Sequence, residues 1–377
     1  MKNLFSRIYV ILMISVQILF MELLMNSPAA AQIQVNPGNE LVLQIKPGPD
    51  NPRNSEGALI DLKDGRIMFV YSRFIGGSGS DHAPAQLVAR FSADGGISWT
   101  LDDEVILDKE GDMNVMSVSL LRLQNNKIAL VYLRKNSLSD CLPQMRISED
   151  EGRSWSSARA IIEDQKGYFV VNNDRVVQLR SGRILVPVSL HKTPETAWSN
   201  KGILRCYFSD DQGLTWKAGG TVPGPDSIIT QEPGLVELKN GKLMMLIRAS
   251  SGFQYQAFSS NKGESWSFAE PAAIPSPISP ASVKRIPKTG DLLLVWNNNR
   301  AKGPGYFNSK RTPLTIAISG NEGKTWRKIK NIEDDPDGTF CYTAIHFTND
   351  HVLLGYGAGT GLSSSHVRRL SLDWIYK

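Results

Sequence analysis

The sequence predicts an all-β fold, a six-bladed β-propeller with four antiparallel strands per blade. Two interleaved repeats and the short apolar runs flanking them carry that prediction. The first repeat is Ser-x-Asp/Asn-x-Gly-x-Ser/Thr-Trp. It starts at Ser92, Ser148, Ser209, Ser259 and Ser319, at spacings of 56, 61, 50 and 60 residues. The second, apolar-x-polar-Gly/Asn-x-apolar, starts at Leu62, Leu123, Leu179, Leu238, Pro287 and, more loosely, Phe347, at spacings of 61, 56, 59, 49 and 60. Six matched units are not explained by a two-sheet sandwich.

In chain order, residues 1–31 read first as an address. Lys2 and Arg7 precede an apolar run from Ile8 to Met25, broken by Gln17 and Glu22, and Ser27-Pro-Ala-Ala-Ala31 follows. A basic start, an apolar stretch and small residues predict a secretory signal peptide cleaved near Ala31, so that the chain works secreted or in the periplasm. An uncleaved anchor is the competing reading of the same run. No later segment reaches the ~18 apolar residues of a spanning helix, so no membrane span is expected in the mature chain. Residues 32–377 are read as a single domain without a linker.

Within each unit the second repeat is a hairpin. Runs such as Ile67-Met-Phe-Val-Tyr71 and Leu292-Leu-Leu-Val-Trp296 are its buried strands. The first repeat is the next turn. Asp or Asn bonds nearby backbone amides, Gly tolerates positive φ, and the Trp packs against a hairpin. The last unit lacks that turn, so the segment Val42–Ile45 is expected to close the ring against the C-terminal blade.

Composition excludes collagen, coiled coil and wholesale disorder: the chain is 41% hydrophobic and 21% charged. A net charge of +5 with no Lys/Arg run gives no nucleic-acid signature and suits an anionic substrate. Cys141, Cys206 and Cys341 show no metal spacing, which argues against a structural zinc site and a disulfide scaffold, with one disulfide left open.

Each unit's first strand should bring a residue about six positions before its turn to one mouth: Glu56, Ser117, Asn173, Glu232, Ala281 and Cys341, with Tyr342 adjacent. The second strands would return Arg73, Arg134, Leu190 or His191, Arg248 and Asn298 there. The third strands would start there with Asp81 to Pro84, Asp140, Lys201, Ser251 and Arg311. Charges gathered in a concavity are costly unless paired, so this cluster is the candidate site.

These residues resemble the sialidase (neuraminidase) superfamily, and the resemblance covers nearly the whole mature chain. Besides the Asp repeat, it rests on Glu232 followed sixteen residues later by Arg248, on Lys310-Arg311-Thr-Pro-Leu-Thr-Ile-Ala-Ile-Ser319 and on Cys341-Tyr342-Thr-Ala-Ile. It also rests on Asn51-Pro-Arg53-Asn-Ser-Glu56 and on the loop Gly76-Gly-Ser-Gly-Ser-Asp81-His82. The resemblance implies an exo-acting retaining glycosidase that releases terminal sialic acid. Tyr342 would be the nucleophile, Glu232 its base and Asp81 the acid/base. Arg53, Arg248 and Arg311 would clamp the substrate carboxylate. A neutral Tyr avoids the repulsion a carboxylate nucleophile would meet there, and guanidinium forks match a carboxylate. No cofactor or metal is required. Glu56 departs from the family's Ile-Pro after the first arginine and, with Arg73 and His82, is a candidate substrate contact. His82 is also an alternative to Asp81 for the proton. The expected partner is a sialylated glycan or a related acidic sugar. Open beside this reading stand a hydrolase of a different 2-keto sugar acid, a non-catalytic carbohydrate-binding propeller, and a polysaccharide lyase on the same fold.

Overall fold

The computed structural model describes residues 38–299 and 310–377. The predicted signal peptide, residues 1–31, lies outside the described residues.

The hairpins stand where the repeats put them. In the first unit Leu62 N bonds Arg66 O at 2.8 Å and Gly65 N bonds Leu62 O at 3.0 Å, joining the strands Asn54–Asp61 and Ile67–Phe74. Ala85–Ser92 and Glu104–Leu107 complete a four-stranded antiparallel sheet. Two further sheets repeat this order: Thr230–Glu237, Leu243–Ala249, Phe253–Ser259, Glu270–Pro275, and Ser282–Arg285, Leu292–Asn297, Leu314–Ser319, Arg327–Glu333. A fourth is made of Cys341–Phe347, His351–Ala358 and Ser364–Ser371, with the N-terminal strand Asn39–Ile45 on its outer edge. That edge pairing puts Val42–Ile45 on the C-terminal strand, where the sequence had placed it.

The second and third units depart from prediction. They form one nine-stranded sheet, so the described residues make five sheets, none closed on itself. A six-bladed propeller of six separate four-stranded blades is therefore not the arrangement found. The cause is local. Tyr168–Val170 pairs antiparallel with Ile184–Lys192 and, through Tyr168 and Cys141, parallel with Asp140–Ser148. The third unit's first strand then stops, because Asn172-Asn173-Asp174 turns, with Asp174 at φ 55°. The Asn173 and Asp174 side chains bond distant partners there, Gly57 O, Tyr342 O and Ile345 N, in place of a ladder.

The core lies between sheets. Ala58 and Val70 pack with Val115 and Leu130, Met244 and Leu246 with Leu294 and Ala317, and Leu59 and Phe69 with Ala344 and Leu353. Cys141, Cys206 and Cys341 are buried and free. The Asp turns form as the sequence predicts. Asp94 Oδ1 accepts from Ile97 N at 3.1 Å and Ser98 N at 2.9 Å, and Oδ2 accepts from Ser98 Oγ at 2.6 Å. Asn261 reproduces the pattern, accepting from Ser265 N at 3.0 Å and donating to Ser265 Oγ at 2.9 Å. Trp99 packs edge-on to Phe69.

Candidate active site

Four of the first strands share an irregularity at the same place. The ladders slip between Asn54 and Gly57, Met116 and Ser119, Gln231 and Pro233, and Cys341 and Ala344. Glu56, Ser117, Glu232 and Tyr342 sit inside those slips, and the last three take φ of 64°, 45° and 59°. A bulge leaves residues unpaired and re-aims side chains. Positive φ on a non-glycine costs on the order of 1–3 kcal/mol and persists where the surroundings hold it.

All four side chains line one cavity of about 340 Å³, together with Arg53, Asp81, Lys135, His191, Arg248 and Arg311. Counting Arg and Lys against Asp and Glu there gives four cations and three carboxylates, an excess of one positive charge that suits an anion. Larger depressions of about 700 and 920 Å³ flank the Asp150 and Asp211 turns; the second holds Tyr207, Glu163 and Asp164, but each has a single arginine, Arg159, where the smaller cavity has Arg53, Arg248 and Arg311.

At the centre, Tyr342 Oη donates to Glu232 Oε1 at 3.5 Å, while Arg248 Nη1 donates to Glu232 Oε2 at 2.5 Å. The Arg311 guanidinium lies 5.1 Å from the Tyr342 ring centroid. Burial pushes the Glu232 carboxyl upward, but Arg248 and Arg311 outweigh it and hold the group below the usual carboxylate range. Burial, with the Glu232 charge, pushes the Tyr342 phenol well above its ordinary value, so the free site holds a neutral tyrosine beside a carboxylate. Burial opposes the Arg311 charge, and Cys341, Tyr342 and Glu232 more than restore it.

At the rim, Arg53 Nη1 donates to Asp81 Oδ1 and Nη2 donates to Ser55 Oγ at 2.9 Å, with Glu56 Oε2 3.8 Å away. Phe74 underlies the guanidinium at 4.7 Å. Burial raises the Asp81 carboxyl, and Arg53 overrides it, so Asp81 is ionised while the pair stands. The Asp81 loop is tied down through its backbone: the Asp81 carbonyl accepts from Lys135 Nζ at 2.6 Å and Asn114 Nδ2 at 3.0 Å. Glu56 is buried in the wall and accepts from Ser117 Oγ at 3.3 Å.

The structure thus brings Tyr342, Glu232, Asp81, Arg53, Arg248, Arg311 and Glu56 to one cavity. It places Arg73 and His82 elsewhere. Arg73 Nη1 is 3.3 Å from Asp103 Oδ2, outside the cavity lining, and His82 is exposed on its loop. The reason for Arg73 is strand parity. Arg248 follows its turn glycine by seven residues, and Lys135 and His191 follow their turn residues by nine. Arg73 and Arg134 follow by eight and so belong to the opposite faces of their strands. Asn173 and Cys341 lie beneath the cavity, and Ala281 is buried in apolar packing. Lys135, Tyr168 and Trp198 were not singled out from sequence. The parity rule would have found Lys135 beside Arg134. Trp198 stacks on His191 at 5.1 Å and 14°, and nothing in its loop sequence marks it. Among the described residues no His/Cys/Asp/Glu group could hold a metal ion, and no helix is long and apolar enough to cross a membrane.

Comparison with known proteins fits this geometry. The sequence model of the family described as BNR repeat-like domain matches residues 102–356. Sialidase-4 of Homo sapiens is 34% identical over 143 residues, 33% of this chain and 29% of that protein. A sialidase of Paraclostridium sordellii is 26% identical over 243 residues, 57% of each. The chain therefore spans between a quarter and three fifths of these curated relatives. Among solved structures, Trypanosoma rangeli sialidase in complex with 2,3-difluorosialic acid as a covalent intermediate superposes with a TM-score of 0.68 at 14% identity, covering 91% of this chain and 60% of that one. A Dyadobacter fermentans protein of unknown function does so with a TM-score of 0.68 at 19% identity, covering 89% of this chain and 100% of that one. At these identities the likeness is one of fold.

Proposed function

The chain belongs to the BNR repeat-like domain family of the sialidase superfamily, and from its site geometry we propose that it is an exo-acting retaining glycosidase. It removes a terminal sialic acid, or a related 2-keto sugar acid, from a glycan. The observation that carries the reading is the Tyr342–Glu232 hydrogen bond set beside Arg248 and Arg311. Binding alone has no use for a base held against a neutral phenol, and the two curated relatives described above are sialidases.

In this reading the substrate carboxylate docks on Arg53, Arg248 and Arg311. Tyr342 Oη gives its proton to Glu232 and attacks the anomeric carbon. The bond to the leaving oxygen breaks, and that oxygen takes a proton from Asp81. Water, losing a proton to Asp81, then displaces the tyrosine, which recovers its own proton from Glu232. Docking also serves proton transfer. A substrate carboxylate on Arg53 competes with Asp81 for the same fork, and a freed Asp81, less strongly held ionised, takes up from solvent the proton that it then gives the leaving oxygen.

Glu56, buried in the wall, favours hydroxyl donors on the bound sugar and keeps a different 2-keto sugar acid in view as substrate. The basic, apolar and small-residue start of the sequence supports work outside the cytoplasm. The test is incubation with 2,3-difluorosialic acid followed by peptide mass mapping. An adduct on Tyr342 is expected; an adduct elsewhere would overturn the assignment, and no adduct with this or a deaminated analogue would overturn the glycosidase reading.

A further inference from the structure

The segment Asn173–Asp174–Arg175 interrupts a strand, is buried, and has no part in the chemistry above. Two of its side chains reach the strand that carries Tyr342 directly, and the third does so through Ser282. Asn173 Nδ2 donates to the Tyr342 carbonyl at 3.0 Å and to the Gly57 carbonyl at 2.7 Å. Asp174 Oδ2 accepts from Ile345 N at 2.8 Å, and Oδ1 accepts from Lys284 Nζ at 2.6 Å. The same ammonium donates to Ile345 O at 2.8 Å. Arg175 Nη1 donates to Ser282 Oγ at 2.9 Å, and that hydroxyl donates to the Thr343 carbonyl at 2.5 Å.

The need for these contacts lies in the ladder. Between Cys341 and Ala344 the register slips, so Tyr342 and Thr343 have no ladder partner on His351–Ala358. Buried backbone carbonyls require partners, and here Asn173 and Ser282 supply them from across the molecule. The segment is itself anchored: Asp174 N bonds Val118 O at 3.0 Å and Arg175 N bonds Ser119 Oγ at 3.0 Å, just past the bulge at Ser117. Arg175 Nε and Nη2 have no hydrogen-bond partner among the described residues, although the guanidinium is buried. A sequence folding only for stability has little reason to bury a cation so incompletely satisfied.

We propose that Asn173, Asp174 and Arg175, with Ser282 as relay, are positioning residues that hold Tyr342 in its left-handed conformation and aim its hydroxyl. The proposal rests on the reading of Tyr342 as nucleophile. Asn173 also fixes Gly57, next to Glu56, so one side chain registers two walls of the cavity against each other.

The experiment measures covalent labelling of Tyr342 by 2,3-difluorosialic acid in the full chain, separating the saturating labelling rate from the half-saturating concentration. Ser282→Ala removes one hydroxyl donor and Asn173→Asp the amide that donates two bonds, neither adding bulk, and Ser282→Thr keeps the hydroxyl. Thermal melting scales each rate to folded protein. The saturating rate should fall at least tenfold in Ser282→Ala and Asn173→Asp, with the half-saturating concentration within threefold of the parent. Ser282→Thr should recover most of the loss. Parent-like rates in folded Ser282→Ala and Asn173→Asp would overturn the positioning role alone. A parent chain that is not labelled at Tyr342 would overturn both the functional reading and this proposal.

Discussion

Replacing Glu232 by Gln tests the electrostatics of the centre and its chemistry together. The carboxylate bonds Arg248 Nη1 at 2.5 Å and faces Tyr342 Oη at 3.5 Å, and the pair is 11% and 15% exposed on its Glu and Arg sides. Removing one partner of a fully buried pair costs about 3–5 kcal/mol. The remaining exposure and the surviving amide acceptor reduce that to about 2–3 kcal/mol, read as a lower denaturation midpoint at pH 7. Because the folded carboxyl is held below its ordinary value, this stability is present above the unfolded-state value and is lost as pH falls through the folded one. Parent and variant should therefore converge in stability at low pH. The amide cannot accept the phenol proton, and loss of a positioned base costs about 10²–10⁴ in rate, or about 2.7–5.4 kcal/mol of barrier. Hydrolysis of an aryl α-sialoside reads that loss. A variant within tenfold of the parent in kcat would refute the role of Glu232 as base, and unchanged stability would refute the ion-pair account.

Other outcomes follow from the same contacts. Asp81→Asn should slow natural glycosides far more than aryl glycosides, whose leaving groups need little protonation; equal losses in parallel assays would move the proton elsewhere. Bonds from Ser98 and Ser154 hold Asp94 and Asp150 at about 2, and Thr215 holds Asp211 there against its slight burial. Stability from these turns is then present above about pH 4 and lost toward pH 2. The triple Asp→Asn variant, copying the turns at Asn261 and Asn321, should unfold less steeply with acid in that window, as followed by circular dichroism. Gly96→Ala should destabilise by about 1–3 kcal/mol, because Gly96 sits at φ 86° and an added Cβ would lie 2.7 Å from Leu353 Cδ1. A melting temperature equal to the parent's would contradict that.

The hairpins, the Asp turns and the convergence of Glu56, Ser117, Glu232 and Tyr342 were legible because each depends on local chemistry repeated at a fixed spacing. What escaped depends on partners far apart in sequence. The merging of the second and third units turns on one parallel pair, Tyr168 with Cys141, and on a strand that gives way at Asn172-Asn173-Asp174. The turn formers were visible, but their consequence for sheet count was not. Arg73 was misplaced by counting residues from the turn without tracking alternation. Lys135 was passed over by the same count, which stopped at Arg134, although its bond to the Asp81 carbonyl, 54 positions away, is announced by no local pattern. The bulges that aim Glu232 and Tyr342 leave no mark of their own in a single sequence, since neither residue type favours positive φ.

The account stands or falls on the phenol of Tyr342. The most direct measurement is release of the aryl group from an aryl α-sialoside by the chain and by Tyr342→Phe, with the anomer formed first identified by nuclear magnetic resonance. The account predicts rapid release by the parent with the α-anomer formed first, and release lowered by orders of magnitude in a folded Tyr342→Phe. Comparable release by both proteins, or a β-anomer formed first, would contradict it.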